Sequence, residues 1–142
     1  MKFDTKKFLS EIEAELSYAE KHIPFLDGWR NDFPDHGGVY VIWEGSTPVY
    51  VGETSGIRSR MADLMRPYNH AFTKKIKSKY GFKELGTLRK YITENYKMSY
   101  IPVELGRAEI EEYLILKWRK TLINKIATRL LEGQQYSWVE PV

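Results

Sequence analysis

The sequence predicts an α+β fold: a small three-stranded sheet flanked by helices, with an extra helix at the amino terminus. Two observations carry most of that expectation. Two β-branched and aromatic runs, Gly38 to Trp43 and Pro48 to Val51, are separated only by Glu44-Gly45-Ser46-Thr47, which reads as a β-hairpin, and a third such run follows at Met98 to Val103. Apolar residues at helical spacing mark five further segments before, between and after these strands.

The elements follow in order. Asp4 or Thr5 caps a first helix running to about His22, with Phe8, Ile12, Leu16 and Ala19 as its apolar stripe. Ile23 to Gly37 holds Pro24, Pro34, Gly28 and Gly37 beside Phe25, Leu26, Trp29 and Phe33, so it reads as a loop with hydrophobic anchors. After the hairpin, Thr54 or Ser55 caps a helix over Ile57 to Met65, and a second helix spans Ala71 to Tyr80. Leu88 to Glu94 forms a short helix before the third strand. Arg107 to Lys120 is apolar on several sides and is expected at the centre of the core. The tail from Lys125 reads as irregular, with Trp138 and Val139 able to dock. The expected division is residues 1–37 as a helix and aromatic loop packed on the body, 38–126 as the main domain and 127–142 as a tail.

At 142 residues the chain is the size of one domain. No apolar run approaches the roughly 18 residues a membrane helix needs, and the amino terminus alternates charge where a secretory leader is apolar. A cytoplasmic protein without a membrane partner is expected, and the absence of cysteine agrees. Without cysteine, and with only the scattered His22, His36 and His70, a zinc cage is not expected. A catalytic metal would be a hard ion, Mg2+ or Mn2+, on carboxylate oxygen and water.

The charge is uneven. Residues 58–90 carry ten Lys/Arg against two Asp/Glu, whereas residues 1–57 carry five against ten. Arg58, Arg66, Lys74, Lys75, Lys77 and Lys79 are interleaved with Tyr68, His70, Phe72 and Tyr80, the composition of a surface that tracks phosphates and stacks on bases. A solvated helix face is the plainer reading of such a run. Nucleic acid, most simply DNA, is the expected partner once a phosphodiesterase site stands beside it.

Such a site is legible. Gly38-Val39-Tyr40, then Tyr50-Val51-Gly52, then Arg60, with tyrosines and arginine at ten-residue intervals, precede a strand and a helix carrying Glu112, and Asn124 follows. In order and approximate spacing this resembles the GIY-YIG nuclease domain over about residues 36–126. The resemblance implies a three-stranded antiparallel sheet flanked by helices, and divalent-metal-dependent cleavage of phosphodiesters to a 5′-phosphate and a 3′-hydroxyl. It implies Tyr40 as general base beside Tyr50, Glu112 as the metal ligand, Asn124 as an ordering or substrate-contacting residue, and His70 as an auxiliary proton donor or acceptor. Where the family commonly has a proline before the asparagine, this chain has Thr121, and its stretch between Arg60 and Glu112 is longer than in compact members.

Physical chemistry tests the set residue by residue. A tight two-residue turn at Gly45-Ser46 would pair Tyr40 with Val51 and throw the tyrosines to opposite faces. A three-residue loop, Gly45 to Thr47, or an equivalent bulge sets Tyr40 opposite Gly52 and Ile42 opposite Tyr50, so both phenols share a face and Gly52 leaves room for a phosphate. Arg60 lies beside the buried stripe of Ile57, Met61 and Leu64, whereas Arg58 turns farther toward solvent, which makes Arg60 the phosphate clamp. Helical periodicity leaves Glu111 and Glu112 open, and only the resemblance selects Glu112. A nucleic-acid-binding module of the same fold with weak or partner-dependent activity is the alternative. The added amino-terminal helix offers either support for the sheet or a homodimer contact.

Overall fold

The computed structural model describes residues 2–124, 126 and 136–142; Lys125 and residues 127–135 of the expected tail lie outside them. Among the described residues the chain forms three strands, β1 (Gly38–Glu44), β2 (Thr47–Thr54) and β3 (Lys97–Pro102). Five α-helices accompany them: α1 (Thr5–Tyr18), α2 (Ile57–Asp63), α3 (Ala71–Tyr80), α4 (Leu85–Asn95) and α5 (Arg107–Lys117). The sheet is antiparallel in the order β2-β1-β3, so the apolar β1 is central and buried along nearly its whole length. The fold is therefore α+β with a three-stranded antiparallel sheet, as the sequence predicts. No described helix is long and apolar enough to cross a membrane.

Side chains alternate across the sheet, and each face builds its own core. Val39, Val41, Trp43 and Val51 pack under α1 and α5, joined by Tyr136 and Val139 of the tail. Tyr40, Ile42 and Met98 face the other way, toward Ile57 and Met61 of α2, Phe72 and Ile76 of α3, Leu88 and Ile92 of α4, and Trp29 and Phe33 of the aromatic loop. Basic helices thus cover the tyrosine face.

The hairpin register is the one that parity demands, reached by the second of the two routes. Tyr40 pairs with Gly52 and Ile42 with Tyr50, while Trp43 pairs with Pro48 and Glu44 with Thr47. The loop is only Gly45-Ser46, with Gly45 at φ +61°, and the extra residue is taken up as a bulge at Val49. Each outer edge of the sheet takes a local backbone contact. His22 exchanges two backbone hydrogen bonds with Met98 along β3, and Val49 O on β2 accepts from Ile123 N–H at 2.8 Å.

Several boundaries differ from expectation. The first helix ends at Tyr18, because Ala19 is extended and the chain must straighten to bring His22 beside β3. Asp4 is its cap, accepting from Lys7 N–H. α2 is preceded by Gly56 without a side-chain cap, since Thr54 Oγ1 is engaged with Gly56 N–H. α4 begins three residues early and takes in Gly86. The amino-terminal helix is built into the body: buried Ser99 donates to Leu16 O and accepts from Trp43 Nε1, a chain of 2.8 Å bonds linking α1, β3 and β1.

Candidate active site

Tyr40 and Tyr50 lie on the same face of the hairpin, their rings stacked with centroids 6.3 Å apart. Tyr40 leans across Gly52: a Cβ there would collide with the phenol itself. The space expected for a phosphate at Gly52 is therefore filled by Tyr40, and glycine is required for that close approach. Tyr40 is 1% exposed, whereas Tyr50 is half-buried and lines a groove of about 610 Å3 together with Lys74, Lys75, Glu111, Ile115 and Asn124.

His70 joins the pair. It is 1% exposed; its Nε2 lies 2.7 Å from Tyr40 Oη and its ring centroid 5.1 Å from that of Tyr50. Nδ1 accepts from Phe72 N–H at 3.1 Å, capping α3. An imidazole nitrogen that accepts a backbone N–H carries no proton, so the proton of neutral His70 sits on Nε2 and donates to Tyr40. Burial, and after it the Arg60 charge, push the His70 pKa down to about 3, so the ring stays neutral. The position is thus a buried donor to Tyr40, where the resemblance implies only an auxiliary donor or acceptor.

Arg60 projects from α2 toward both phenols and is partly buried. Its Nη1 donates to Asp63 Oδ2 at 3.3 Å and to Asn69 O at 3.0 Å, which fixes the guanidinium. Burial first, then the neighbouring Tyr50, raise the Tyr40 pKa well above the ordinary phenol range, while Arg60 pulls it down. Burial raises Tyr50 as well, again opposed by Arg60. Arg58 is used elsewhere: its Nε donates to Phe33 O at 2.9 Å and ties α2 to the aromatic loop.

The acidic residue on this side is Glu111. Glu111 and Ile115, one helical turn apart, both line the groove. Glu111 Oε2 accepts from Glu53 N–H at 2.8 Å on the open edge of β2. Glu112, the residue the family spacing selects, turns roughly 100° round the helix and its Oε2 accepts from Tyr136 Oη at 3.1 Å, toward the tail. The resemblance implies Glu112 as the ligand, whereas the face of α5 that meets the β2 edge and the groove carries Glu111. Burial pushes the Glu111 carboxyl up to about 7, against the lowering effect of the Glu53 N–H; Glu53 and Glu112 add to the rise and Arg60 opposes it.

Asn124 completes the edge. Its Oδ1 accepts from Val51 N–H at 2.9 Å and its Nδ2 donates to Val51 O at 2.8 Å, so one side chain replaces a missing strand beside Val51. It fixes the residue between Tyr50 and Gly52.

The basic residues divide. Ala71, Lys74, Lys75 and Ser78 form one stripe of α3 along the groove. Lys77 packs over Tyr68 at 5.0 Å from the ring, Lys79 lines the next stretch of the surface, and Arg66 is exposed. Among the described residues no three His, Asp or Glu side chains cluster to hold an ion by themselves. A single carboxylate is the available anchor, and Glu111 suits a hard cation whose shell is mostly water and phosphate oxygen. Comparison of the chain with protein-family models, curated proteins and solved structures finds no match.

Proposed function

We propose that this protein is a metal-dependent endonuclease of the GIY-YIG type that hydrolyses phosphodiester bonds in DNA. The observation that carries the reading is the convergence of two stacked phenols, a neutral imidazole, a fixed guanidinium and a carboxylate beside one lysine-lined groove, whose wall Tyr50 and Glu111 form. Neither sheet packing nor solubility calls for that set.

In this reading the two phenols hold the attacking water. Tyr40 takes its proton in the phenolate form, because His70 Nε2–H and Arg60 both stabilise negative charge on that oxygen. Tyr50, which lines the groove, orients the water and the phosphate. Arg60 donates to phosphate oxygens as charge builds in the transition state. Glu111 is the residue that would hold Mg2+ or Mn2+, whose chemistry there is to polarise the phosphate and stabilise the leaving oxygen. Lys74 and Lys75 neutralise flanking phosphates, and Asn124 keeps Tyr50 and Gly52 in register.

The test is cleavage of labelled single-stranded, duplex and branched DNA, and of RNA, with magnesium. Glu111→Gln is expected to lose at least roughly a hundredfold in rate, a few kcal/mol of transition-state stabilisation, whereas Glu112→Gln keeps most of its activity. Equal activity in Glu111→Gln and the unaltered protein overturns the site. Salt-sensitive binding without metal-dependent cutting overturns the enzyme in favour of a binding module.

A further inference from the structure

The groove does not stop at the candidate site. A second hollow of about 840 Å3 shares Lys75, Ser78 and Ile123 with the first and continues along α3 to Lys79, Tyr96 and the hairpin turn at Glu44. The two form one channel beside a ten-residue helix. That helix is roughly 15 Å long, the rise of about four stacked nucleotides at ~3.4 Å each.

The channel has two kinds of lining. Lys74, Lys75 and Lys79 supply cations along one wall, and Val49, Ile76 and Ile123 supply an apolar floor. Beyond the lining residues, immediately after Lys79 at the end of α3, comes Tyr80, 44% exposed. Its ring is set by Tyr91 at 4.8 Å and Phe82 at 6.0 Å between centroids, with Lys79 Nζ at 5.2 Å. A ring held by neighbours loses little freedom when a base stacks on it. Phosphates of a continuous duplex need only the lysines, since its bases face inward. An apolar floor leading to an exposed, braced aromatic ring suits unpaired bases. The Glu44 carboxylate sets a negative charge, unfavourable to phosphate, at the hairpin end.

We infer that the α3 groove is a single-strand track, holding about four unpaired nucleotides that lead away from the cleaved phosphate and stacking the last base on Tyr80. This rests on the endonuclease reading and names its substrate class: DNA with an unpaired flank, in preference to uninterrupted duplex.

The test is fluorescence anisotropy without divalent cation. It compares a short blunt duplex with the same duplex extended on one strand by about four unpaired nucleotides. The flanked probe is expected to bind at least roughly fivefold more tightly; Tyr80→Ala removes that advantage and Tyr80→Phe keeps it. Lys74→Ala, at an exposed position on the groove, provides an arm away from the ring contacts of Tyr80 and lowers the log–log salt slope for the flanked probe by about 0.7. Equal affinity for both probes, an unchanged preference in Tyr80→Ala, or no binding to either overturns the track. With magnesium the two readings separate. Equal cleavage of blunt and flanked probes overturns the track while the endonuclease stands. A Tyr80-dependent binding preference without cleavage supports the track and overturns the endonuclease.

Discussion

At the scale of single residues the site is governed by what surrounds one oxygen, Tyr40 Oη. Burial holds the phenol neutral, and His70 and Arg60 pull the other way. Because burial wins, only a small fraction of Tyr40 is ionised at neutral pH, and that fraction grows about tenfold per pH unit. If Tyr40 is the proton acceptor, the cleavage rate should climb with nearly that slope between roughly pH 6 and 9. Tyr40→Phe should lower the rate by about 10² to 10⁴ and flatten the profile. A single-turnover pH series on both proteins checks this, and an unchanged slope in Tyr40→Phe assigns the proton elsewhere. The shared face of the two phenols was readable from strand parity. The donor role of His70 was not, because it depends on Nδ1 capping α3 from a position thirty residues away from Tyr40 in sequence.

At the scale of elements the hairpin and α3 were legible because their signals are local: alternating strands around Gly45-Ser46, and a helix stopped by Gly81 in the left-handed region. α5 was not legible in rotation. It buries Ile110, Tyr113, Leu114, Ile115 and Leu116, so no single apolar stripe says which glutamate faces the sheet. That choice is made by the free edge of β2, which needs acceptors for Val51 N–H and Glu53 N–H and finds them in Asn124 and Glu111. Asn124→Ala removes both partners of Val51 at once. A loss of about 1–3 kcal/mol is expected, together with faster amide exchange at Val51, whereas Thr121→Ala on the neighbouring turn leaves Val51 protected. Exchange rates for Val51 equal in Asn124→Ala and the unaltered protein would show that the edge is held by other means.

At the scale of the whole molecule two titrating groups, the buried His70 and the partly buried Glu111, pull stability in opposite directions with pH. His70 titrates near 6.5 when unfolded and near 3 when folded, so between those values the unfolded chain binds the extra proton and stability falls as pH falls. Glu111 titrates near 4.5 when unfolded and near 7 when folded, so the folded chain binds the extra proton and stability falls as pH rises through that window. Where the windows overlap, from about pH 4.5 to 6.5, the two effects largely cancel, and thermal unfolding of the metal-free protein should be nearly flat in pH. Substitution separates them. In Glu111→Gln only the histidine remains, and Tm should rise steadily up to about pH 6.5; in His70→Gln only the glutamate remains, and Tm should fall from about pH 4.5 to 7. If magnesium binds at Glu111 it favours the ionised carboxylate, so it should remove the loss on the alkaline side in the unaltered protein and in His70→Gln, and do nothing in Glu111→Gln. A calorimetric series with and without magnesium reads all three. Magnesium stabilisation that persists in Glu111→Gln would move the cation to a different anchor.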